Sequence, residues 1–235
     1  MFRFLIISFL ICFVKGWSQE KTDVYLLPGQ GADCRLFADI DLDTTRYNPI
    51  CLAYSTPREH ENMRQFASRI AKEVDTTRSF YLIGVSLGGM IATEISHQLK
   101  PDKTIIISSA KNRKELPARY KFQKVVPIYD WIPPALLKKG ALFLQPIVEP
   151  DRDKYEATFI DMLSSKPPLY FERTIALIVN WNRTETSADI IHIHGTKDHT
   201  IPIRNVVDPT VIQNGSHMMT LTKSQEISEV LSKLL

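Results

Sequence analysis

The feature that most constrains the fold is a G-x-S-x-G sequence, Gly84-Val85-Ser86-Leu87-Gly88, between two different apolar patterns. The residues before it, 80–85, form a short apolar run typical of a buried strand. The residues after it, 87–99, carry apolar side chains at four-residue spacing, which is typical of a helix. The chain therefore passes from strand to helix in one tight turn. Glycines on either side of Ser86 remove the side chains that would collide there.

The rest of the chain repeats this order of strand and helix. Strands are predicted over 24–27, 49–54, 80–85, 104–108, 189–194 and 210–212, and helices over 62–74, 87–99, 171–181 and 224–235. Such alternation is typical of a parallel sheet covered by helices. We therefore expect an α/β fold with a mostly parallel sheet of about six strands and helices on both faces.

A segment from about 112 to 170 interrupts this order. It holds eight of the fourteen prolines and many aromatic residues. We interpret it as a mostly helical cap inserted into a single domain that spans 19–235. Two roles stay open for the aromatic side chains, which either line a pocket or form a small core within the cap. They are Tyr120, Phe122, Tyr129, Trp131, Phe143, Phe159 and Tyr170.

Ser86 has the position of a catalytic nucleophile. At the tip of a tight turn its hydroxyl points out of the fold, and the backbone N–H of Leu87 opens the following helix. That N–H lies at the positive end of the helix dipole, where it can stabilise an oxyanion. Because a serine hydroxyl is a weak nucleophile at neutral pH, it needs a base and an acid that orients the base.

Two later turns supply candidates for these partners. The sequence His-Gly-Thr-Lys-Asp-His-Thr-Ile-Pro at 194–202 places Asp198 after a strand, and Asn-Gly-Ser-His at 214–217 places His217 between the last strand and the last helix. The carboxyl ends of parallel strands share one edge of the sheet. We therefore expect Ser86, Asp198 and His217 to meet there as a catalytic triad, with Glu115 as the next candidate for the acid.

These motifs resemble those of the α/β-hydrolase superfamily, specifically its small serine esterase-like members with a helical cap. The resemblance covers essentially all of the chain after the N-terminal segment. It implies an α/β-hydrolase fold without the first two strands of the family. It also implies that Ser86 is the nucleophile, Asp198 the acid and His217 the base.

The resemblance further implies an oxyanion hole made of two backbone N–H groups. One belongs to Leu87, and the other belongs to Gln30 in the loop Leu-Pro-Gly-Gln-Gly-Ala-Asp at 27–33. Many family members have His-Gly where this chain has Pro-Gly. Gly31 therefore stays open as the alternative donor.

The expected activity is hydrolysis of a small-molecule ester or thioester with an apolar acyl group, through an acyl-enzyme and without a cofactor or metal. Two alternatives stay open: hydrolysis of an amide or carbon–carbon bond by the same triad, and an inactive, hydrolase-like binding protein. The pair His192-x-His194 has the spacing of two metal ligands on one strand face. We interpret His194 instead as a partner in a structural hydrogen bond.

The N-terminal segment resembles a signal peptide. Arg3 is followed by an apolar run over 4–14 and then by the small residues Gly16 and Ser18. This run is shorter than the about 20 residues that span a bilayer, so a membrane anchor is the weaker alternative. We expect a signal peptide at 1–18, export, and a mature chain with no stable membrane span.

Charge and cysteine content exclude other classes. Outside 1–18 the chain has 27 basic and 26 acidic residues and no long run of like charge, so a nucleic-acid partner is not expected. The three cysteines lack the paired spacing of a zinc site. We expect Cys34 and Cys51 to be buried free thiols, with a single disulfide bond between them as the alternative.

Overall fold

A six-stranded parallel sheet forms the centre of the molecule. The computed structural model describes residues 20–149, 153–185 and 189–235, so the predicted signal peptide lies outside the described residues. The strands run in the spatial order β2-β1-β3-β4-β5-β6, and every pair is parallel. Their bounds are β1 (Thr22–Leu27), β2 (Tyr47–Cys51), β3 (Phe80–Val85), β4 (Lys103–Ile107), β5 (Ile190–Gly195) and β6 (Thr210–Ile212). The predicted α/β fold class is confirmed.

Helices cover both faces of this sheet. They are α1 (Met63–Ile70), α2 (Leu87–Leu99), α3 (Ala118–Val125), α4 (Ile128–Trp131), α5 (Pro134–Val148), α6 (Glu156–Ser165), α7 (Pro168–Asn180), α8 (Met219–Thr222) and α9 (Ser224–Leu234). Among the described residues, no helix is long and apolar enough to cross a membrane.

Side chains that alternate along the strands build two cores. In β3, Phe80 and Leu82 join the cluster under α1 and α2, whereas Ile83 and Val85 join the cluster on the opposite face, under α9. Because successive strand residues point to opposite faces, a continuous apolar run serves both layers. This explains why the strands read as unbroken apolar stretches.

Three predicted elements differ from the structure by three residues or more at one end. Strand β2 begins at Tyr47 and ends at Cys51, because Tyr54 leaves the sheet and its hydroxyl donates to the carbonyl oxygen of Pro28. The first helix ends at Ile70 and continues as a single 3-10 turn, Ala71–Glu73. Helix α7 begins at Pro168, where a proline fits the first turn because its missing N–H has no helical partner.

The expectation of two buried free thiols is wrong. Cys34 and Cys51 form a disulfide bond, with their Cα atoms 5.8 Å apart. Cys34 follows the loop after β1 and is exposed, and Cys51 ends the adjacent strand β2. The pairing of β1 with β2 brings the two residues together, although 17 positions separate them in sequence.

Candidate active site

The Ser86 turn has a strained backbone. Ser86 has φ 53° and ψ −119°, a backbone conformation that residues other than glycine rarely adopt. The neighbouring elements pack too closely for any side chain larger than hydrogen at the two flanking glycines. A Cβ atom on Gly84 would lie 2.3 Å from the carbonyl oxygen of Gly88, and one on Gly88 would lie 2.0 Å from that of Leu27. Both glycines are therefore required by the contact between strand and helix.

Hydrogen bonds from β4 and the residues that follow it hold this turn in place. The Ser86 N–H donates to the carbonyl oxygen of Ile107 over 3.0 Å, and the Ser109 hydroxyl donates to the carbonyl oxygen of Ser86 over 2.7 Å. Ser109 and Ser86 are both buried. This role of Ser109 could not be predicted, because no sequence pattern distinguishes a serine that follows a strand.

The structure brings Ser86, His217 and Asp198 into one chain of hydrogen bonds. Nε2 of His217 lies 2.8 Å from Oγ of Ser86, and Nδ1 of His217 lies 2.8 Å from Oδ2 of Asp198. All three residues are buried. They follow β3, β5 and β6, respectively, so they meet at the carboxyl edge of the sheet. This arrangement can pass a proton from a serine hydroxyl to an imidazole that a carboxylate orients.

The carboxylate of Asp198 is fixed by its own turn. Its Oδ1 accepts the backbone N–H groups of Thr200 and Ile201, each over 2.8 Å. Nε2 of His194 lies 2.7 Å from the carbonyl oxygen of Ile201, which closes the same turn from the strand side. His194 thus makes a structural hydrogen bond at the base of the acid turn.

Burial and charge act in opposite directions on this pair. Burial raises the pKa of Asp198, but the charge and hydrogen bond of His217, together with His194 and the Ile201 N–H, bring the pKa below its ordinary value. Burial lowers the pKa of His217, but the charge and hydrogen bond of Asp198 are the main opposing causes, and the pKa lies above its ordinary value. Glu149 also raises the pKa of His217, and Arg119 lowers it. The pair therefore favours an ionised acid beside an imidazole that gains a proton readily.

Two backbone N–H groups lie near the serine without a protein acceptor in the described part of the chain. They belong to Leu87, the first residue of α2, and to Gln30. The N–H of Gly31, by contrast, donates to the buried hydroxyl of Tyr170 over 3.3 Å. The Gln30 side chain is anchored to Thr174 of α7 over 2.7 Å, which fixes its loop. Gln30 is thus better placed than Gly31 to serve as the second oxyanion donor.

A cavity of about 430 Å³ opens directly onto Ser86 and His217. The cap segment forms much of its wall, through one face of α5 and one face of α6. The wall is mainly apolar. Its apolar side chains include Leu144, Phe159, Met162, Leu163 and Met218.

This geometry agrees with sequence comparison. A model of the alpha/beta hydrolase family matches residues 18–230. The chain belongs to the alpha/beta hydrolase family. Comparison with curated proteins finds no significant relative.

Solved structures share the hydrolase fold at low sequence identity. An esterase from Exiguobacterium antarcticum is 16% identical with a TM-score of 0.66, and the match covers 91% of each chain. A thermophilic esterase from Thermogutta terrifontis is 12% identical with a TM-score of 0.68, over 91% of this chain and 89% of that chain. An enol-lactonase from Burkholderia xenovorans LB400 is 11% identical with a TM-score of 0.65, over 91% of each chain. These similarities concern the fold.

The cap of this hydrolase divides its aromatic residues among three environments. Tyr120 and Phe159 line the cavity. Tyr129 and Tyr170 are buried, and Tyr129 accepts a hydrogen bond from Asn180 of α7. Three others lie at the surface with more than half of the side chain exposed: Phe122, Trp131 and Phe143. The pocket-lining role thus applies to Tyr120 and Phe159.

Sequence reasoning missed Glu149, which joins the cap to the histidine loop. This residue follows α5, is 2% exposed, and accepts the backbone N–H of Met218 over 2.7 Å. Burial raises its pKa to about 7, although His217 nearby lowers it. A glutamate at a helix end is ordinary in sequence, so only the folded cap reveals its position beside His217.

The other titratable residues considered from the sequence make structural contacts. Nδ1 of His194 lies 3.1 Å from Nε2 of His192, so the two rings contact each other. Within the described ranges, no group of three or more histidine, cysteine or acidic residues is arranged to hold a metal ion. Glu115 accepts the backbone N–H groups of Lys111 and Val207 and faces His192 rather than His217. Asp198, rather than Glu115, is thus the carboxylate that is hydrogen-bonded to His217.

Proposed function

We propose that this hydrolase is an exported serine enzyme that cleaves a carboxylic ester or thioester through an acyl-enzyme on Ser86. The observation that carries the proposal is the hydrogen-bonded chain from Ser86 through His217 to Asp198, which opens onto a mainly apolar cavity. Similar folds are found in proteins described as esterases and in an enol-lactonase, whose reactions are at carboxylic esters. Those names support an ester over an amide as the scissile group.

Acylation follows from the atoms that face the cavity. Oγ of Ser86 attacks the ester carbonyl carbon while Nε2 of His217 takes the hydroxyl proton. Asp198 stabilises the imidazolium that results, and the N–H groups of Leu87 and Gln30 receive the negative charge on the former carbonyl oxygen. When the intermediate collapses, the bond to the leaving group breaks and His217 donates the proton to the departing alcohol or thiol.

Deacylation repeats the sequence with water in place of the serine. His217 removes a proton from water, the hydroxide attacks the acyl carbon, and the same two N–H groups stabilise the second oxyanion. Collapse then returns the proton to Oγ of Ser86 and releases the carboxylic acid. No cofactor enters either half of the reaction.

Export is supported by two independent features. The segment 1–18 has the charge and apolar pattern of a signal peptide. The disulfide bond between Cys34 and Cys51 suits an oxidising compartment, since thiols stay reduced in the cytosol.

Ser86→Ala is expected to abolish ester hydrolysis and fluorophosphonate labelling while the fold is retained. Loss of the nucleophile removes both covalent steps, so turnover should fall roughly a thousandfold or more. Stopped assays with p-nitrophenyl butyrate, together with circular dichroism, measure both properties. Ser232→Ala, on the exposed side of α9, is the matched control and should label normally. Wild-type turnover in folded Ser86→Ala would disprove the mechanism.

Glu149→Gln is expected to move the acidic limb of the pH profile of kcat/KM to lower pH. His217 must be neutral to accept the serine proton, so activity falls as the pH drops through its pKa. Glu149 raises that pKa, and the amide removes its charge while keeping an oxygen for the Met218 N–H. The pKa of His217 therefore falls in the variant.

Glu115→Gln is the matched control for this shift, because Glu115 is also a buried carboxyl that accepts backbone N–H groups but faces His192. Its acidic limb should coincide with that of the wild type. An unchanged limb in Glu149→Gln would show that Glu149 has no electrostatic influence on His217.

The rate constant kcat/KM is expected to rise from acetyl to butyryl or hexanoyl p-nitrophenyl esters. Each buried methylene contributes up to about 0.8 kcal/mol, so two raise kcat/KM up to about tenfold where the transition state feels the contact. Initial rates over acetyl to octanoyl esters measure this, with Ser86→Ala giving the background rate. A steady decline from acetyl would contradict an apolar acyl site.

The chain with its own N-terminus is expected to be processed in a bacterial host to a soluble form that begins near Gln19. The apolar run is too short to stay in a bilayer, and small residues follow it. Intact mass and cell fractionation measure this outcome. Leu10→Arg, which interrupts the run, should block processing. An uncleaved, membrane-bound wild-type chain would favour an anchor instead.

A further inference from the structure

The cavity wall holds a polar donor that the proposed reaction does not use. Gln145 lies on α5, its side chain is 7% exposed, and it lines the same cavity as Ser86 and His217. Its Nε2 is buried and has no hydrogen-bond partner in the described part of the chain. The oxyanion donors proposed above are the N–H groups of Leu87 and Gln30, so the scissile carbonyl does not need this amide.

A second residue of the cavity wall also carries a buried polar atom without a hydrogen-bond partner among the described residues. Oγ1 of Thr200 is buried and has no partner among the described residues, although the Thr200 carbonyl oxygen accepts from Arg119. Buried donors are nearly always satisfied, since an unmade hydrogen bond costs more than a made one gains. Two such atoms in one cavity indicate that its occupant carries polar atoms as well as an apolar body.

The position of Gln145 on its helix indicates which polar group fits. Glu149 follows four residues later, directly after α5, and also lines the cavity. Its backbone N–H donates to the carbonyl oxygen of Gln145 over 2.9 Å, so the two residues lie in the last turn at the end of this helix. Glu149 is bound by the Met218 N–H at Oε1 and by the Ser216 hydroxyl, and a carboxylate with its two oxygens has about four acceptor sites. A hydroxyl group both accepts and donates. It can therefore accept a hydrogen bond from Nε2 of Gln145 and donate one to the carboxylate of Glu149.

We propose that Gln145 and Glu149 form a specificity site for a hydroxyl group on the substrate, so that the preferred ester is hydroxylated. The proposal rests on the proposed ester hydrolysis and names its substrate class. The hydroxyl belongs to the acyl part or to the alcohol part of the ester, and the chemistry of recognition is the same in both. Sites built to bind a hydroxyl discriminate strongly against analogues that lack it, because their own polar groups are then left unpaired.

The test compares matched pairs of esters on the full chain. The acyl pair is p-nitrophenyl butyrate and p-nitrophenyl 3-hydroxybutyrate, and the alcohol pair is propyl butyrate and glycerol monobutyrate. In the wild type, kcat/KM of the hydroxylated member of one pair should exceed that of the plain member by roughly tenfold. Gln145→Met, which keeps the volume and removes the donor, should bring that ratio close to one.

Two further variants keep the result interpretable. Met162→Leu reshapes the apolar wall without removing a polar atom and should change both members of a pair alike. If Gln145→Met does not fold, as judged by circular dichroism, Gln145→Asn retains an amide but shortens its reach and should also lose the preference.

The inference is overturned if neither pair shows a preference in the wild type, or if the preference survives in folded Gln145→Met or Gln145→Asn. Hydrolysis of the plain esters with Ser86 labelling would in that case leave the proposed function standing. Absence of both hydrolysis and fluorophosphonate labelling would instead remove the proposed function, and the inference with it.

Discussion

The close contact between strand β3 and helix α2 is the constraint on which the site depends. Ser86 occupies a positive φ because the chain reverses within one residue there. Gly84 allows β3 to approach α2, and Gly88 allows α2 to approach the end of β1. Such strain persists only where surrounding contacts determine it. Ile107 and Ser109 supply two of them through hydrogen bonds to the Ser86 backbone. The same contact presents the serine hydroxyl and the first N–H of α2 to the cavity.

A parallel sheet converts separate strand ends into one site. Ser86, Asp198 and His217 are far apart in sequence, yet each follows a strand whose carboxyl end lies on the same edge. Each side chain is then fixed by its own turn, as the two N–H groups bonded to Asp198 illustrate. The sheet therefore provides proximity, and the turns provide orientation. Catalysis by positioned groups needs both.

The cap adds an apolar wall and a buried carboxyl to this edge. Helices α5 and α6 supply much of the apolar wall, while Gln145 on α5 and Glu149 directly after it add polar groups. Glu149 also binds the Met218 N–H, so the cap contacts the loop that carries His217. A change in the cap can therefore alter both the shape of the cavity and the pKa of His217. The sheet alone has no such coupling.

The sequence by itself determined the parallel α/β architecture, the Ser86 turn and the chain order of Ser86, Asp198 and His217, because these depend on local spacing and strand ends. It determined neither the Cys34–Cys51 bond nor the placement of Glu149. Both depend on contacts between segments distant in sequence: β1 pairs with β2 in the first case, and the cap packs on the histidine loop in the second. Such contacts leave no periodic pattern in the chain, so only the tertiary structure decided them.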